Sequence, residues 1–508
     1  MGSVRSVDRT AAPGVPLDGL LERIAARAPR GRGPVLRTFA EAYVRRLPSA
    51  ELALRADDLP GEVRGAFALA DGRGNAEVAV RAFNPTTADD GYETPGSVLE
   101  TNTPDSPFLF DSVNEELQAR GLAVTRVVHP VIGTERDAKG RLTALPHVRE
   151  AATRESVMHF EVDRRLGAEE LADLETRIRS ILGDVRLTVR DFEPMRERIV
   201  HMIEIARDGA RRYPADAVDE TVAFLRWLLD LNFVFLGYRE YDLVEATGGR
   251  ALVVAPGSGL GILSKEDWSS HHRPTPLAAI PEALRARVED GELLIYSKTN
   301  AMSTVHRRAR MDYIGVRRLG PDGTVIGEAR MVGLFTSKAY MEPASATPVL
   351  AGKLRRILEA EDLFEGSHDY KAATQIFESF PKDELFAAPV DDLREQVMGL
   401  LSSQEQRHIR LFVRPDIPGR SVSILVALPR DRFTTDLRRD LEALFLRRFG
   451  GARVDYNLAL GGSAAAQIHF TVHVAEGPIP EVAYQDLERD VVALAETWDD
   501  RLLAGLEA

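Results

Sequence analysis

The chain has 508 residues, of which 44% are hydrophobic and 28% charged; it is too long for one core and too apolar for wholesale disorder, so roughly two to four domains are expected. A formal charge of −13 argues against a general nucleic-acid-binding role, which needs a basic face to release counterions. No apolar run approaches the ~20 residues of a membrane helix, no apolar h-region opens the chain, and the lack of cysteine removes disulfide and thiolate chemistry and fits a cytoplasmic location.

Residues 1–19 are punctuated by Gly, Pro and Ser and are expected to fray. Apolar residues then recur at helical spacing over 20–28, 35–46 and 52–67, so 1–70 reads as a helical segment. Beyond it the period changes. A strand at 76–83, a helix at 107–120, strands at 124–132 and 156–162, a helix at 169–182 ended by Gly183 and a last strand at 185–189 give the order βαββαβ over 71–192. That is the ferredoxin-like arrangement, an antiparallel sheet with two helices on one face.

Helices at 194–210 and 217–231 make a linker over 193–231. Strand-like runs at 233–243, 252–254, 293–296, 311–316 and 331–335 make 232–342 a mostly antiparallel, sensor-like α+β unit, with a tight turn at Gly320-Pro321-Asp322-Gly323. Helices at 348–360, 370–380 and 390–402 fill 343–405. Strands at 409–413, 422–428, 452–459 and 466–474, with helices at 433–449 and from 481 onward, give ββαββα over 406–508. This is a second ferredoxin-like sheet with its chain start permuted; its last helix is expected to run almost to Ala508, with Gly505 as a C-cap.

The stretch Thr101-Asn102-Thr103-Pro104-Asp105-Ser106-Pro107-Phe108-Leu109-Phe110-Asp111-Ser112-Val113 reads as a polar loop feeding a helix. Asp105 and Ser106 suit an N-cap, and Pro107 suits the first helical position. Such an entry is a natural seat for a carboxylate or phosphate, although on the local pattern alone an ordinary capped helix on a sheet accounts for it. Other candidates read more plainly. Gly257-Ser258-Gly259-Leu260-Gly261 is one residue short of the dinucleotide spacing and has no βαβ frame, so it reads as a tight loop. His271-His272 near Asp267 lacks a third ligand at zinc-like spacing and reads as a solvated loop. His129 and His159 read as satisfied core or edge histidines, and Asp362, Glu365 and Asp383-Glu384 as exposed helix-end acids. The basic clusters Arg307-Arg308-Ala309-Arg310 and Arg438-Arg439 read as solvated faces. No complete active site is visible.

Several stretches together resemble the N-terminal regulatory region of the large bacterial NAD-dependent glutamate dehydrogenases. They are Thr101–Val113, His129-Pro130, Phe235-Leu236-Gly237-Tyr238-Arg239-Glu240-Tyr241, Gly257-Ser258-Gly259-Leu260-Gly261-Ile262-Leu263 and Phe380-Pro381-Lys382-Asp383-Glu384-Leu385-Phe386. The resemblance implies an α+β, multidomain chain: ferredoxin-like, ACT-like domains at 71–192 and 406–508 flanking a PAS-like unit at 232–342, joined by helical segments. It also implies homo-oligomers, tetramers or hexamers, with these domains ahead of a catalytic module that binds NAD. The Lys-rich substrate pocket and dinucleotide-binding unit of that module are not visible here. The chain is therefore expected to be a non-catalytic piece, without a cofactor or metal of its own and without nucleic-acid or membrane partners, working with its own catalytic module.

ACT-like domains bind a small ligand, often an amino acid, at the loop before the first helix, so the expected effector-binding residues are Asn102, Thr103, Asp105, Ser106, Pro107 and Phe108. Asp105-Ser106-Pro107 matches the family's Asp-x-Pro-Gly pattern up to Phe108, which replaces the glycine that lets backbone approach a ligand. Asp105 would take an ammonium group and the helix N–H groups a carboxylate; alternatively Phe108 fills the pocket. A purely structural assembly module, or a stand-alone metabolite sensor, are the other readings.

Overall fold

The computed structural model describes residues 17–246, 249–265, 275–279, 291–403, 409–416, 419–460, 465–474 and 479–495. Asp267, His271, His272, Gly505 and the helix expected beyond 495 lie outside the described residues. The chain divides into two units, the first holding residues 1–194, 260–264 and 299–311, the second holding the rest.

In the first unit, helices α1 (Leu17–Ala25), α2 (Gly33–Val44), α3 (Ser49–Leu54) and α4 (Leu59–Gly72) precede strands β1 (Ala79–Phe83) and β2 (Val98–Pro104). Helix α5 (Leu109–Ala119) leads to β3 (Val124–Val128), β4 (Val131–Arg136), β5 (Leu142–Ala144) and β6 (Thr153–Val162), and α6 (Ala168–Arg190) follows. The strands pair antiparallel in the order β1-β2-β6-β4-β5, and β3 also pairs with β6. Because successive strand side chains alternate faces, β6 serves two layers. Phe160 stacks on Phe110 of α5 with ring centroids 5.7 Å apart, while His159 and Glu161 turn to the other face. There α1, α2 and α4 bury Leu20, Ile24, Leu36, Phe39, Tyr43, Val63 and Phe67 around Val128 and Val157.

Three expectations are corrected here. Residues 101–104 are not loop: Thr101, Asn102 and Thr103 are fully buried in β2, whose polar side chains sit on both faces of the sheet. The strand expected at 185–189 is the last part of α6. Leu174, Ile178, Ile181, Leu182, Val185 and Thr188 are among its buried residues, a stripe of helical period that the short alternation Val185-Arg186-Leu187-Thr188-Val189 disguised. The sheet is still ferredoxin-like, but β1, upstream of β2, takes the fourth place, so the chain order is ββαββα. Finally, the run 124–132 breaks at His129-Pro130 into β3 and β4, Pro having no N–H for a ladder, and both pieces follow the same edge of β6.

The second unit begins within α7 (Phe192–Asp208), continues with α8 (Ala215–Trp227), and then builds a sheet from β7 (Phe233–Ala246), β8 (Gly249–Val254), β10 (Thr275–Pro276), β11 (Leu294–Met302), β12 (Arg310–Leu319) and β13 (Val325–Phe335); the two-residue β9 (Leu260–Gly261) and residues 299–302 and 310–311 of β11 and β12 are counted in the first unit. The order is β10-β8-β7-β13-β12-β11. Helices α9 (Ser337–Met341), α10 (Leu350–Ala360), α11 (His368–Ser379), α12 (Lys382–Ala387) and α13 (Val390–Ser403) follow. The last sheet, β14 (Arg410–Pro415), β15 (Ser421–Pro429), β16 (Gly451–Ala459) and β17 (Ala465–Val474), is antiparallel in the order β14-β15-β17-β16. Its helices α14 (Thr435–Phe449) and α15 (Tyr484–Ala495) bury Leu441, Phe445, Leu487 and Val491 against Ile424, Val426, Ile468 and Phe470. The opposite face meets the preceding helices: Phe380 packs edge-on against His469 with centroids 4.8 Å apart, and the Ser379 hydroxyl donates to Gln467 at 2.8 Å. The permuted ββαββα order expected for this sheet is what the strands follow.

Candidate functional site

The expected effector loop splits into a buried half and an exposed half. Asn102 Nδ2 donates to the Ser156 carbonyl at 3.2 Å, and Asn102 Oδ1 accepts from Arg136 at 3.4 Å. Thr101 and Thr103 bury hydroxyl oxygens with no hydrogen-bond partner. Asp105 is exposed and held by its backbone, whose N–H donates to the Arg154 carbonyl at 2.9 Å. Pro107 and Phe108 make the turn, and the hydroxyl of Ser106 caps nothing in α5. Phe108 takes the place before α5 in the left-handed region, φ 72°, a conformation that glycine adopts without cost and a phenylalanine does not. Nearby, Phe110 stacks on His129 at 6.0 Å, and His129 Nε2 lies 2.8 Å from Ser156 Oγ. Burial lowers the pKa of His129.

The Phe108 ring packs against His306, centroids 5.2 Å apart. His306 belongs to the 299–311 segment of the first unit, and its backbone N–H donates to Ser112 Oγ at 2.9 Å while that hydroxyl donates to the Phe108 carbonyl at 2.6 Å. His306 Nδ1 lies 3.2 Å from Asp111. The Arg308 N–H donates to Glu115 at 3.1 Å, its guanidinium sits 3.3 Å from Glu116, and Thr304 Oγ1 donates to Asp184 at 2.8 Å. The basic run 307–310 is thus not simply a solvated face.

Behind β6 lies a buried charged seam that single-sequence reading passed over. Glu62 of α4, wholly buried, accepts from Tyr43 at 2.8 Å and from Arg126 at 3.0 Å. Glu161 accepts from Arg126 at 2.9 Å and pairs with Arg55 at 2.8 Å. His159 Nδ1 is 3.2 Å from Glu100, and its Nε2 is 3.6 Å from Glu161. Burial alone would discharge the imidazole, but Glu62, Glu100 and Glu161 outweigh it and push His159 up to about 9. Burial likewise opposes the Glu161 carboxylate, yet His159, Arg55 and Arg126 bring it down to about 2. Donor atoms of Glu62, His159 and Glu161 lie within 4.8 Å of one another, close enough to share a cation. The cation the fold supplies there is the Arg126 guanidinium. His159 is therefore buried, as expected, but charged.

In the second unit the Phe380–Phe386 stretch is a junction. Asp383 lies 3.2 Å from Lys298 and accepts from Tyr340 at 3.1 Å; Lys298 also pairs with the buried Asp312 at 2.5 Å. Glu384 takes both ends of the Arg414 guanidinium at 2.8 Å and 3.1 Å. These acids, expected to be exposed, are pairing groups. A cavity of about 810 Å³, lined by Tyr340, Glu378, Phe380, Asp383 and Asn457 among others, opens beside them. Gly257–Gly261 is indeed a turn at its start, with Gly257 at φ 71° and Ser258 Oγ donating to the Ala255 carbonyl at 2.7 Å.

Comparison with known proteins agrees with this architecture. Residues 39–178 match the glutamate dehydrogenase ACT1 domain, 347–406 the glutamate dehydrogenase helical motif 1, and 410–499 the glutamate dehydrogenase ACT2 domain. The NAD-specific glutamate dehydrogenase of Halomonas elongata is 33% identical over 495 residues, which is 96% of this chain and 30% of that protein. That of Pseudomonas aeruginosa is 31% identical over 92% of this chain and 29% of its own length, and that of Mycobacterium tuberculosis 27% identical over 81% and 25%. The chain thus spans about three-tenths of the length of the curated relatives it matches most fully. The ββαββα sheet of residues 79–190, the helices of 350–403 and the ββαββα sheet of 410–495 place the chain in the large NAD-specific glutamate dehydrogenase family, as a carrier of its ACT1, helical motif 1 and ACT2 modules.

Proposed function

We propose that this chain is the regulatory and assembly region of a large NAD-dependent glutamate dehydrogenase, whose complete form oxidatively deaminates L-glutamate to 2-oxoglutarate and ammonia. The chain itself is non-catalytic in this reading. NAD is held by a separate catalytic module, and these domains, divided as 71–192, 232–342 and 406–508, support a cytoplasmic homo-oligomer, a tetramer or hexamer. Amino-acid effectors enter at Asn102, Thr103, Asp105, Ser106, Pro107 and Phe108, with Asp105 taking the ammonium group. What supports an effector is the pair of buried, unpartnered hydroxyls of Thr101 and Thr103 on the strand that leads to an exposed Asp105. A structural role without a ligand is supported by the Phe108 ring, which packs on His306 where glycine would leave space.

Calorimetric titration of the chain with a panel of amino acids, repeated on Asp105→Ala, separates the two. Saturable heat lost in the variant establishes the effector role. Silence across the panel, with self-association intact in light scattering, leaves assembly alone. A chain that neither binds nor self-associates would sink the whole proposal.

A further inference from the structure

The residues around His306 form a self-contained tip. Ser303 N–H donates to the Ala309 carbonyl at 2.8 Å, Ser303 Oγ donates to the Val305 carbonyl at 2.7 Å, and the Val305 N–H donates back to that hydroxyl at 3.1 Å. Its contacts with α5 are of a different kind, a set of polar bonds to side chains. Ser112 and Glu115 accept the His306 and Arg308 N–H groups, and Asp111 and Glu116 face the imidazole and the guanidinium.

We infer that the acidic face of α5 made by Asp111, Ser112, Glu115 and Glu116 is a binding site for a basic peptide segment, and that residues 303–308 are a reversible strap bound to it in cis. The first unit then has a strapped and an unstrapped state. Release uncovers Val305 and breaks the Thr304–Asp184 bond, and three observations lower the rest of its cost. Glu116, the most buried of the three acids, is also paired with Arg120 at 2.8 Å and Arg177 at 3.4 Å, so departure of Arg308 leaves Glu116 with cations still beside it and avoids the situation that makes breaking a buried pair so destabilising. Asp111 and the Arg308 side chain are about half exposed, so water and salt compete with their bonds. The two rings that meet, Phe108 and His306, both sit on residues with positive φ, 72° and 68°; a non-glycine backbone relaxes when the contact that holds it there is removed.

The strap also lies where an entering ligand would meet α5, since His306 covers Phe108. The inference does not need an amino-acid effector, however: it rests on the contacts of 303–308 alone, and it stands or falls apart from the titration of Asp105.

The test is hydrogen exchange of the full chain, read at the amides of residues 303–309 against those of β6. In Asp111→Asn/Glu115→Gln the strap amides should exchange roughly tenfold faster while β6 is unchanged, as expected for a local opening. Moving the unaltered chain from low to high salt should shift the same amides in the same direction. Equal exchange in the variant and the parent, or strap protection insensitive to salt, overturns the inference. A second arm guards against a variant that merely unfolds: a labelled peptide of residues 303–310 should bind saturably to a chain carrying His306→Ala/Arg308→Glu and about tenfold more weakly to the parent, where the cis segment competes. Equal binding by the two chains, or no binding by the strap variant, would count equally against it.

Discussion

Two strands of the molecule carry nearly the same sequence and hold a histidine in opposite charge states. Met158-His159-Phe160-Glu161-Val162 lies on β6, and Ile468-His469-Phe470-Thr471-Val472 lies on β17. Each is flanked on both sides within its own ββαββα sheet. In each, the phenylalanine turns to the two-helix face, Phe160 onto Phe110 and Phe470 onto Phe445, and the histidine turns to the helices that precede the sheet in sequence. From there the neighbours decide. His159 meets Glu62, Glu100 and Glu161 and is pushed up to about 9. His469 meets Phe380, has no partner at either ring nitrogen, and is driven down to about 3 by burial. A shared strand pattern therefore specifies the place of the side chain, while the covering helix specifies its chemistry.

The comparison is most severely strained by removing the counter-ion of the charged version. Arg126→Met leaves Glu62 and Glu161 with Arg55 and the His159 imidazolium as their remaining cations, and should cost the first unit about 3–5 kcal/mol, read as lost protection of β6 amides with β17 unaffected. A loss below about 1 kcal/mol would show that Arg55 and His159 together suffice. His159→Leu comes next, at about 2–3 kcal/mol, because Glu100 and Glu161 lose their imidazolium partner.

The pH dependence should then have opposite signs in the two units. The His159 pKa is raised above the ordinary value of 6.5, so its contribution is complete below pH 6.5 and is lost as pH rises through about 9. The His469 pKa is depressed, so its contribution is complete above pH 6.5 and is lost progressively as pH falls from there toward about 3. Exchange of β6 and β17 amides followed from mildly acidic to mildly alkaline pH should diverge; parallel profiles would refute the contrast. The smallest effect belongs to His469→Leu, which should cost less than about 1.5 kcal/mol and abolish the acid-side loss in β17.

Much of the fold was legible from local pattern. The buried strands β15 and β17 and the amphipathic helices α2, α5 and α14 follow the periods that their faces demand, and a polar turn separates β12 from β13. Strand β2 was not legible, because Glu100-Thr101-Asn102-Thr103 has the composition of a loop. It becomes a strand because its partners exist only after folding: His159 for Glu100, Arg136 and the Ser156 carbonyl for Asn102. The end of α6 was misread for the converse reason, since five residues of alternation at 185–189 outweighed a helical stripe whose burial only the sheet reveals. Of the effector loop, the sequence showed the residue types and the odd Phe108; it did not show that Asn102 and Thr103 are buried or that His306, far along the chain, packs on that ring.

Composition and periodicity thus determined by themselves that this is an α+β, multidomain chain with two ferredoxin-like sheets, because burial of apolar faces is a local requirement that each element declares in its own spacing; its glutamate dehydrogenase type came from the resemblance of its motifs to that family. Which polar groups are charged, paired or covered was decided only by the tertiary structure. Coulomb forces and desolvation act between residues such as Glu62, Arg126 and His159, far apart in sequence and adjacent only once the helices of 17–72 have closed over the sheet.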